Sequence, residues 1–330
     1  MKNIPITIAA WDYDRVRALI DGRVGVEGCD VTFIALTPEE CFHRAYRHRE
    51  FEVSEIGFSP YINSVARGIP DYVAIPAFVS RSFRHSAIYI RDDRGIDSPA
   101  DLKGRRVGVP EYQLSAALWP RGMLADDYGI KAHQINWLQG GLEQPGRDDR
   151  FPLTLPAGFP LEKIPQNATL SGMLEAGQLD ALFTARAPSC YLRGAPNVRR
   201  LFEDFRCAEA EYFRRSGIFP IMHAVGIRRD MHERHPWLAA SVYKAFVRAK
   251  RIADADLGEV VALKVGLPWV VQELAATRAV MGEDFWPYGV AENRKTLEAM
   301  TRYSFEQGIS LRRLGVEELF APSTLDDYKI

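Results

Sequence analysis

The stretch Ile96-Asp97-Ser98-Pro99-Ala100-Asp101-Leu102-Lys103-Gly104-Arg105-Arg106-Val107-Gly108-Val109 decides the fold. Ser98-Pro99-Ala100-Asp101 has a capping serine, a proline at the first helical position and an acid three residues on, so it starts a helical turn. Gly104 ends the turn, because glycine readily takes the left-handed backbone that closes a helix. Arg106 to Val109 then reads as a short strand, Pro110-Glu111-Tyr112-Gln113 as the loop at its carboxyl end, and 114–128 as a helix. Strand, loop and helix in that order open a βαβ unit of a parallel sheet. A second lobe is therefore expected to begin near residue 93.

The same alternation runs toward the N-terminus. Ile6 to Ala10 alternates and is β-branched, which suits a first strand. Val16, Leu19 and Ile20 have helical spacing, so 13–24 is expected to be a helix capped by Asp12 or Asp14. Val31 to Leu36 is a second strand, and Thr37-Pro38-Glu39-Glu40 is a capping box for a helix to about His48. Val53 to Phe58 is a third strand, Ser59-Pro60 starts another helix, and Tyr72–Phe78 and Ala87–Ile90 are further strands. Toward the C-terminus, 139–167 is crowded with Gly and Pro, and a long segment of that kind is a lid, an oligomer contact or a surface insertion. A short helix over 169–176, a buried strand over 180–184 and its loop 185–189 follow. Ile221 to Ile227 is a strand returning to the first lobe, and the chain is helical from His235-Pro236-Trp237 onward. The expected fold class is α/β: two hinged lobes, each a mostly parallel sheet flanked by helices. The first lobe is 1–92 plus 225–330, and the second is 93–224 with the insertion 139–167.

Composition narrows the function. A chain of 330 residues suits two α/β lobes. Its net charge of −1 argues against a nucleic-acid binder, which needs a basic face. No apolar stretch approaches the roughly 20 residues that cross a bilayer. The apolar run Ile4–Ala10 is too short for a signal-peptide core and charges follow it at once, so the expected location is the cytoplasm. Cys29, Cys41, Cys190 and Cys207 form no CxxC pair and read as free thiols. GxGxxG after a strand, the P-loop, HExxH and GxSxG are all absent. Ser241-Val242-Tyr243-Lys244 matches SxxK but lies within a helix, and His232-Glu233-Arg234-His235 lacks the spacing that puts two imidazoles on one helix face. No metal site is expected from local motifs; a divalent ion held by distant residues stays open.

Two patterns point further. The quoted stretch, together with Leu174-Glu175-Ala176-Gly177-Gln178-Leu179-Asp180-Ala181, resembles type II periplasmic binding proteins. Gly108-Val109-Pro110-Glu111-Tyr112-Gln113-Leu114-Ser115-Ala116, Ser80-Arg81-Ser82-Phe83-Arg84-His85-Ser86 and Phe219-Pro220-Ile221-Met222-His223 resemble the 4,5-dihydroxyphthalate decarboxylase family over nearly the whole chain. The resemblance implies a carboxy-lyase of phthalate catabolism that yields protocatechuate and CO₂ without an organic cofactor.

Ligands of open parallel sheets sit outside the carboxyl ends of the strands. The loops there carry Trp11 and Asp12, Ser59, Glu111, Tyr112, Gln113 and Ser115, and Thr184 and Arg186. The implied aromatic dicarboxylate needs planar cations, for which Arg81, Arg84, Arg121 and Arg186 are candidates. The first turn of the helix at Ser115 offers backbone N–H groups. The implied reaction needs a general acid, and histidine suits it because its reference pKa is about 6.5. His85 and His223 are the candidates, with Glu111 or Asp12 to orient the hydroxyls or take a proton. Trp11, Tyr112 and Phe219 are candidates to stack the ring. The rival class is a non-enzymatic binding or sensing protein for a small aromatic or carboxylate ligand. Its expected marks, an export signal or a helix-turn-helix domain, are not visible. The apolar C-terminal helices suggest a homo-oligomer.

Overall fold

The computed structural model describes residues 2–146 and 151–326. Two compact units emerge, 1–81 with 213–298 and 314–330, and 82–212 with 299–313. The chain thus leaves the first unit near Arg81 and returns near Phe213, not near residues 92 and 225. It also revisits the second unit over Ala299–Arg313, an excursion that the sequence reading did not foresee.

In the first unit, β1 (Ile4–Ala10) is followed by a 3₁₀ turn Asp14–Val16 and the one-turn helix α1 (Arg17–Ile20). The expected helix over 13–24 is cut short, with Gly22 in the left-handed backbone region at φ +78°. Next come β2 (Cys29–Ala35), α2 (Pro38–His48), β3 (Val53–Gly57), α3 (Phe58–Ala66) and β4 (Tyr72–Arg81). The Thr37 hydroxyl accepts from the Glu40 N–H and caps α2, as the Thr-Pro-Glu-Glu sequence requires.

The second unit contains β5 (Ile88–Arg91), β6 (Arg106–Val109), α4 (Ser115–Tyr128), β7 (Asn136–Gln139) and β8 (Leu161–Lys163). It continues with α5 (Leu170–Glu175), β9 (Ala181–Phe183), α6 (Ser189–Leu192), β10 (Val198–Arg200) and most of α7 (Phe205–Ser216). Then β11 (Ile221–Arg228), α8 (Arg229–Arg234), α9 (Leu238–Leu257) and α10 (Val270–Met281) lie in the first unit, and α11 (Arg294–Glu306) runs from it into the second.

The first sheet has the order β2-β1-β3-β11-β4, and the second β10-β5-β9-β6-β7-β8. In the first, β1, β2 and β3 are parallel and β11 runs antiparallel to β3 and β4. In the second, β6, β7, β8 and β9 are parallel and β5 runs antiparallel to both of its neighbours, β9 and β10, so both sheets are mixed. The Gly/Pro-rich segment is not structureless throughout, because β8 pairs in parallel with β7. Residues 147–150 of that segment lie outside the described residues.

Gly122 on α4 faces Tyr303, and a Cβ there would lie 2.3 Å from two atoms of the ring. Gly122→Ala is therefore expected to destabilise the protein by about 1–3 kcal/mol through overpacking. Thermal unfolding checks this; an unchanged melting temperature would show that the ring moves aside freely.

Candidate active site

β1 and β3 are parallel, with Ala9 beside Ser54, so the carboxyl end of β1 lies next to Glu55. β11 runs antiparallel on the other side of β3, with Val225 opposite Glu55. His223 is two residues from Val225 along the strand, hence on the same face and diagonal to Glu55. The pairing of β11 with β4 shifts register on both sides of His223. Such irregularities re-aim a side chain.

The result is a small polar cluster. His223 Nδ1 lies 2.6 Å from Glu55 Oε1, and the Tyr13 hydroxyl donates to the same oxygen at 2.7 Å. The Trp11 N–H donates to Glu55 Oε2 at 2.8 Å. The Glu55 side chain is wholly buried, while that of His223 is 19% exposed. Burial pushes the Glu55 pKa up. The hydrogen bond from His223, its charge, and the donors of Trp11 and Tyr13 outweigh that and hold it below the ordinary 4.5. Burial, then the Glu55 charge, pushes the Tyr13 phenol well above its ordinary value, so it stays a neutral donor. Glu55 is thus an ionised acceptor and His223 Nδ1 donates to it. The Phe42 ring meets the imidazole edge-on, with centroids 4.8 Å apart. This arrangement fixes one ring nitrogen and directs the other, Nε2, away from the carboxylate.

Cys41 stands close by, its Sγ 3.3 Å from the Ser54 hydroxyl. Burial and the Glu55 charge push its thiol up to about 12, so it is not a nucleophile at neutral pH. Among the described residues, no group of three His, Cys, Asp or Glu is placed to hold a metal ion.

The remaining expected site residues divide sharply. Trp11 is exposed at the end of β1 and contributes its backbone N–H. Asp12 lies on the surface, paired with Arg17 at 2.8 Å. Ser59 is fully buried in the first turn of α3. Arg81 does not fit the expected carboxylate-binding role: it ends β4, and its guanidinium donates to the Pro287 carbonyl, Asn293 Oδ1 and the Phe219 carbonyl. Burial lowers its pKa, and Arg81 serves to tie three chain segments together. Phe219 accepts one of these bonds and packs edge-on against Trp286.

In the second unit, His85 is buried against Phe202 and Tyr212, with Nδ1 4.0 Å from Glu209. The general-acid expectation for His85 thus meets a buried side chain 4.0 Å from the Glu209 carboxylate, whereas His223 is partly exposed and lies 2.6 Å from Glu55. Glu111, Gln113 and Ser115 are buried around the loop after β6, where Gln113 donates to the Phe151 carbonyl. Tyr112 is a core residue and not a ring platform: it packs on Trp137 and Phe159, and Arg121 stacks 3.7 Å from its centroid. Arg121 is itself buried, donating to the Tyr112 carbonyl and Gln307. Thr184 is buried, its hydroxyl donating to the Arg186 carbonyl, and Arg186 is exposed just after β9, as the sequence suggested. The sequence reading missed Glu55 and gave Tyr13 no role. The signal available was an acid inside the predicted strand Val53-Ser54-Glu55-Ile56-Gly57, since a buried carboxylate demands partners.

A curated relative from Comamonas testosteroni, named 4,5-dihydroxyphthalate decarboxylase, is 45% identical over 330 residues, all of both chains. The chain belongs to the 4,5-dihydroxyphthalate decarboxylase family. A second relative of that name, from Pseudomonas putida, is 46% identical over 214 residues, 65% of this chain and 83% of that one. No family model matches the chain. Among solved structures, the periplasmic aliphatic sulphonate binding protein SsuA from Escherichia coli superposes with a TM-score of 0.53 at 13% identity, covering 98% of this chain and 99% of that one. The periplasmic sulfonate-binding protein SsuA from Methylobacillus flagellatus KT gives 0.53 at 13% identity, over 97% and 92%. This decarboxylase family therefore shares the two-lobed fold of periplasmic binding proteins; at such identity the likeness concerns fold alone.

Proposed function

We propose that the chain is a carboxy-lyase that converts 4,5-dihydroxyphthalate to protocatechuate and CO₂, with His223 as the acid that protonates the ring. The observation that carries the choice of acid is the 2.6 Å contact from His223 Nδ1 to the buried Glu55 carboxylate. The full-length relative supports the substrate.

The hydroxyl para to the departing carboxylate pushes electron density onto the carbon that bears it. His223 Nε2–H gives its proton to that carbon, forming a C–H bond and interrupting aromaticity. The C–C bond to the carboxylate then breaks, its electron pair returns to the ring, and CO₂ leaves. No free carbanion forms. One proton is consumed per turnover and is restored to the imidazole from water. Glu55 accepts from Nδ1 and holds the imidazole's orientation, as a carboxylate does behind other catalytic histidines.

The test is incubation of the purified protein with 4,5-dihydroxyphthalate, with and without a chelator, following CO₂ and protocatechuate. Equal release of both is expected. Thermal stabilisation without turnover would point instead to a binding protein, and loss of activity with chelator would bring a divalent ion to the catechol oxygens.

Two properties accompany the proposal. The cytoplasm is its proposed location, since four free thiols suit a reducing compartment; cell fractionation would test it. Among the described residues, no helix is long and apolar enough to cross a membrane. A homo-oligomer is also proposed, because Val260, Val261, Leu263, Leu267, Trp269 and Val271 expose apolar surface in one short segment. Light scattering is expected to give a mass above one chain, and Trp269→Asp to reduce it; a monomeric wild type would contradict this.

A further inference from the structure

Tyr13 has a second neighbour besides Glu55. The Arg15 guanidinium lies over two rings, 4.1 Å from the Tyr13 centroid and 4.2 Å from that of Trp286. Both rings are anchored. The Tyr13 hydroxyl donates to Glu55, and Trp286 Nε1–H donates to the Phe78 carbonyl at 2.8 Å. Arg15 Nε donates to the Val79 carbonyl at 2.7 Å, and Nη1 to Asp14 Oδ1 at 2.9 Å. Nη2 makes no hydrogen bond among the described residues. The side chain keeps 16% of its surface exposed.

These constraints leave the guanidinium a fixed plane, little water and donor capacity to spare. Stacking on two rings removes hydration from a cation that already hydrates weakly, and a planar fork matches a carboxylate in a way an ammonium does not. A fork held before the ligand arrives loses less entropy on binding it. Its position follows the chain. Arg15 lies in the turn just beyond the carboxyl end of β1, on the tyrosine that hydrogen-bonds the carboxylate holding His223. A cation and an acid thus flank one phenol ring. Asp14 pairs with the guanidinium at 2.9 Å through Nη1 and is half-exposed, where solvent screens an ion pair, and it leaves Nη2 to a ligand.

We propose that Arg15 binds the substrate carboxylate that is retained in the product, while His223 addresses the carbon that loses its own. This rests on the decarboxylase reading. It assigns a residue that binds an aromatic dicarboxylate in the ortho arrangement and gives Trp286 the role of holding it. The opposing account makes Arg15 a structural latch between the β1 loop and the Val79 carbonyl.

Calorimetric titration separates the two accounts, using phthalate as a probe with both carboxylates and no hydroxyls, and catechol as a probe with neither carboxylate. Phthalate is expected to bind the wild type and to lose at least about tenfold in affinity in Arg15→Gln, the weight of one charge-assisted contact. Catechol affinity should not change. Arg15→Lys keeps the charge without the fork, and should lose part of the phthalate affinity and none of the catechol affinity; it also serves if the glutamine variant fails to fold. Equal phthalate binding in wild type and variants, no phthalate binding by the wild type, or equal loss of both probes would overturn the proposal. Wild-type turnover of 4,5-dihydroxyphthalate with an unchanged KM in Arg15→Lys would sink Arg15 alone. Absence of wild-type turnover would sink the decarboxylase reading, while the titration still reports on the anion site.

Discussion

His223→Gln should lower kcat on 4,5-dihydroxyphthalate by about a hundred- to ten-thousandfold, the usual worth of a positioned general acid. Glutamine keeps a polar side chain of similar reach and can still meet Glu55, so the fold should survive. KM should change little, because proton delivery is stronger in the transition state than in the ground state. His85→Gln should retain turnover, since His85 is buried among Phe202 and Tyr212. Progress curves for the two variants decide between the histidines. If His223→Gln works at the wild-type rate and His85→Gln does not, the acid has been placed on the wrong side chain.

Glu55→Gln should lower kcat by at least about tenfold: its single carbonyl oxygen can still accept from Tyr13, while the amide nitrogen leaves the Trp11 N–H without its acceptor. Its effect on acid stability has the opposite sense. The folded protein holds the Glu55 pKa below the ordinary 4.5, so this group's contribution is present above that value. It is lost as pH falls through the depressed folded pKa. Melting temperatures taken between about pH 6 and pH 3 should fall less steeply in Glu55→Gln than in the wild type, because the variant has no proton to take up there. Equal slopes would mean that other carboxylates carry the acid sensitivity. Glu55→Ala should be far worse folded, because it empties a fully buried position and leaves three donors without an acceptor.

Local chemistry made much of the fold legible. Arg106–Val109 forms the expected strand because Gly104 and Pro110 bracket it, and Thr37 caps α2 because its sequence carries the donor pattern of the cap. What depends on distant pairing was not legible. Ala87–Ile90 looked like another strand of the first sheet, yet β5 pairs with β9 and β10. Nothing in those residues specifies that choice, since hydrophobic strands match many partners. The site divides in the same way. His223 stood out as a histidine in a strand, but its partner Glu55 is 168 positions away and is brought to it by an antiparallel strand pairing. Arg81 looked like an anion binder because it is an arginine near a strand end. Its three oxygen partners come from loops whose placement no local pattern reveals.

The kcat for 4,5-dihydroxyphthalate in wild type, Glu55→Gln and His223→Gln tests most directly the claim that a carboxylate-anchored imidazole protonates the ring. A loss in both variants, deeper in His223→Gln, is the predicted result, with CO₂ and protocatechuate still appearing in equal amounts in Glu55→Gln. Wild-type kcat in both variants would contradict the account.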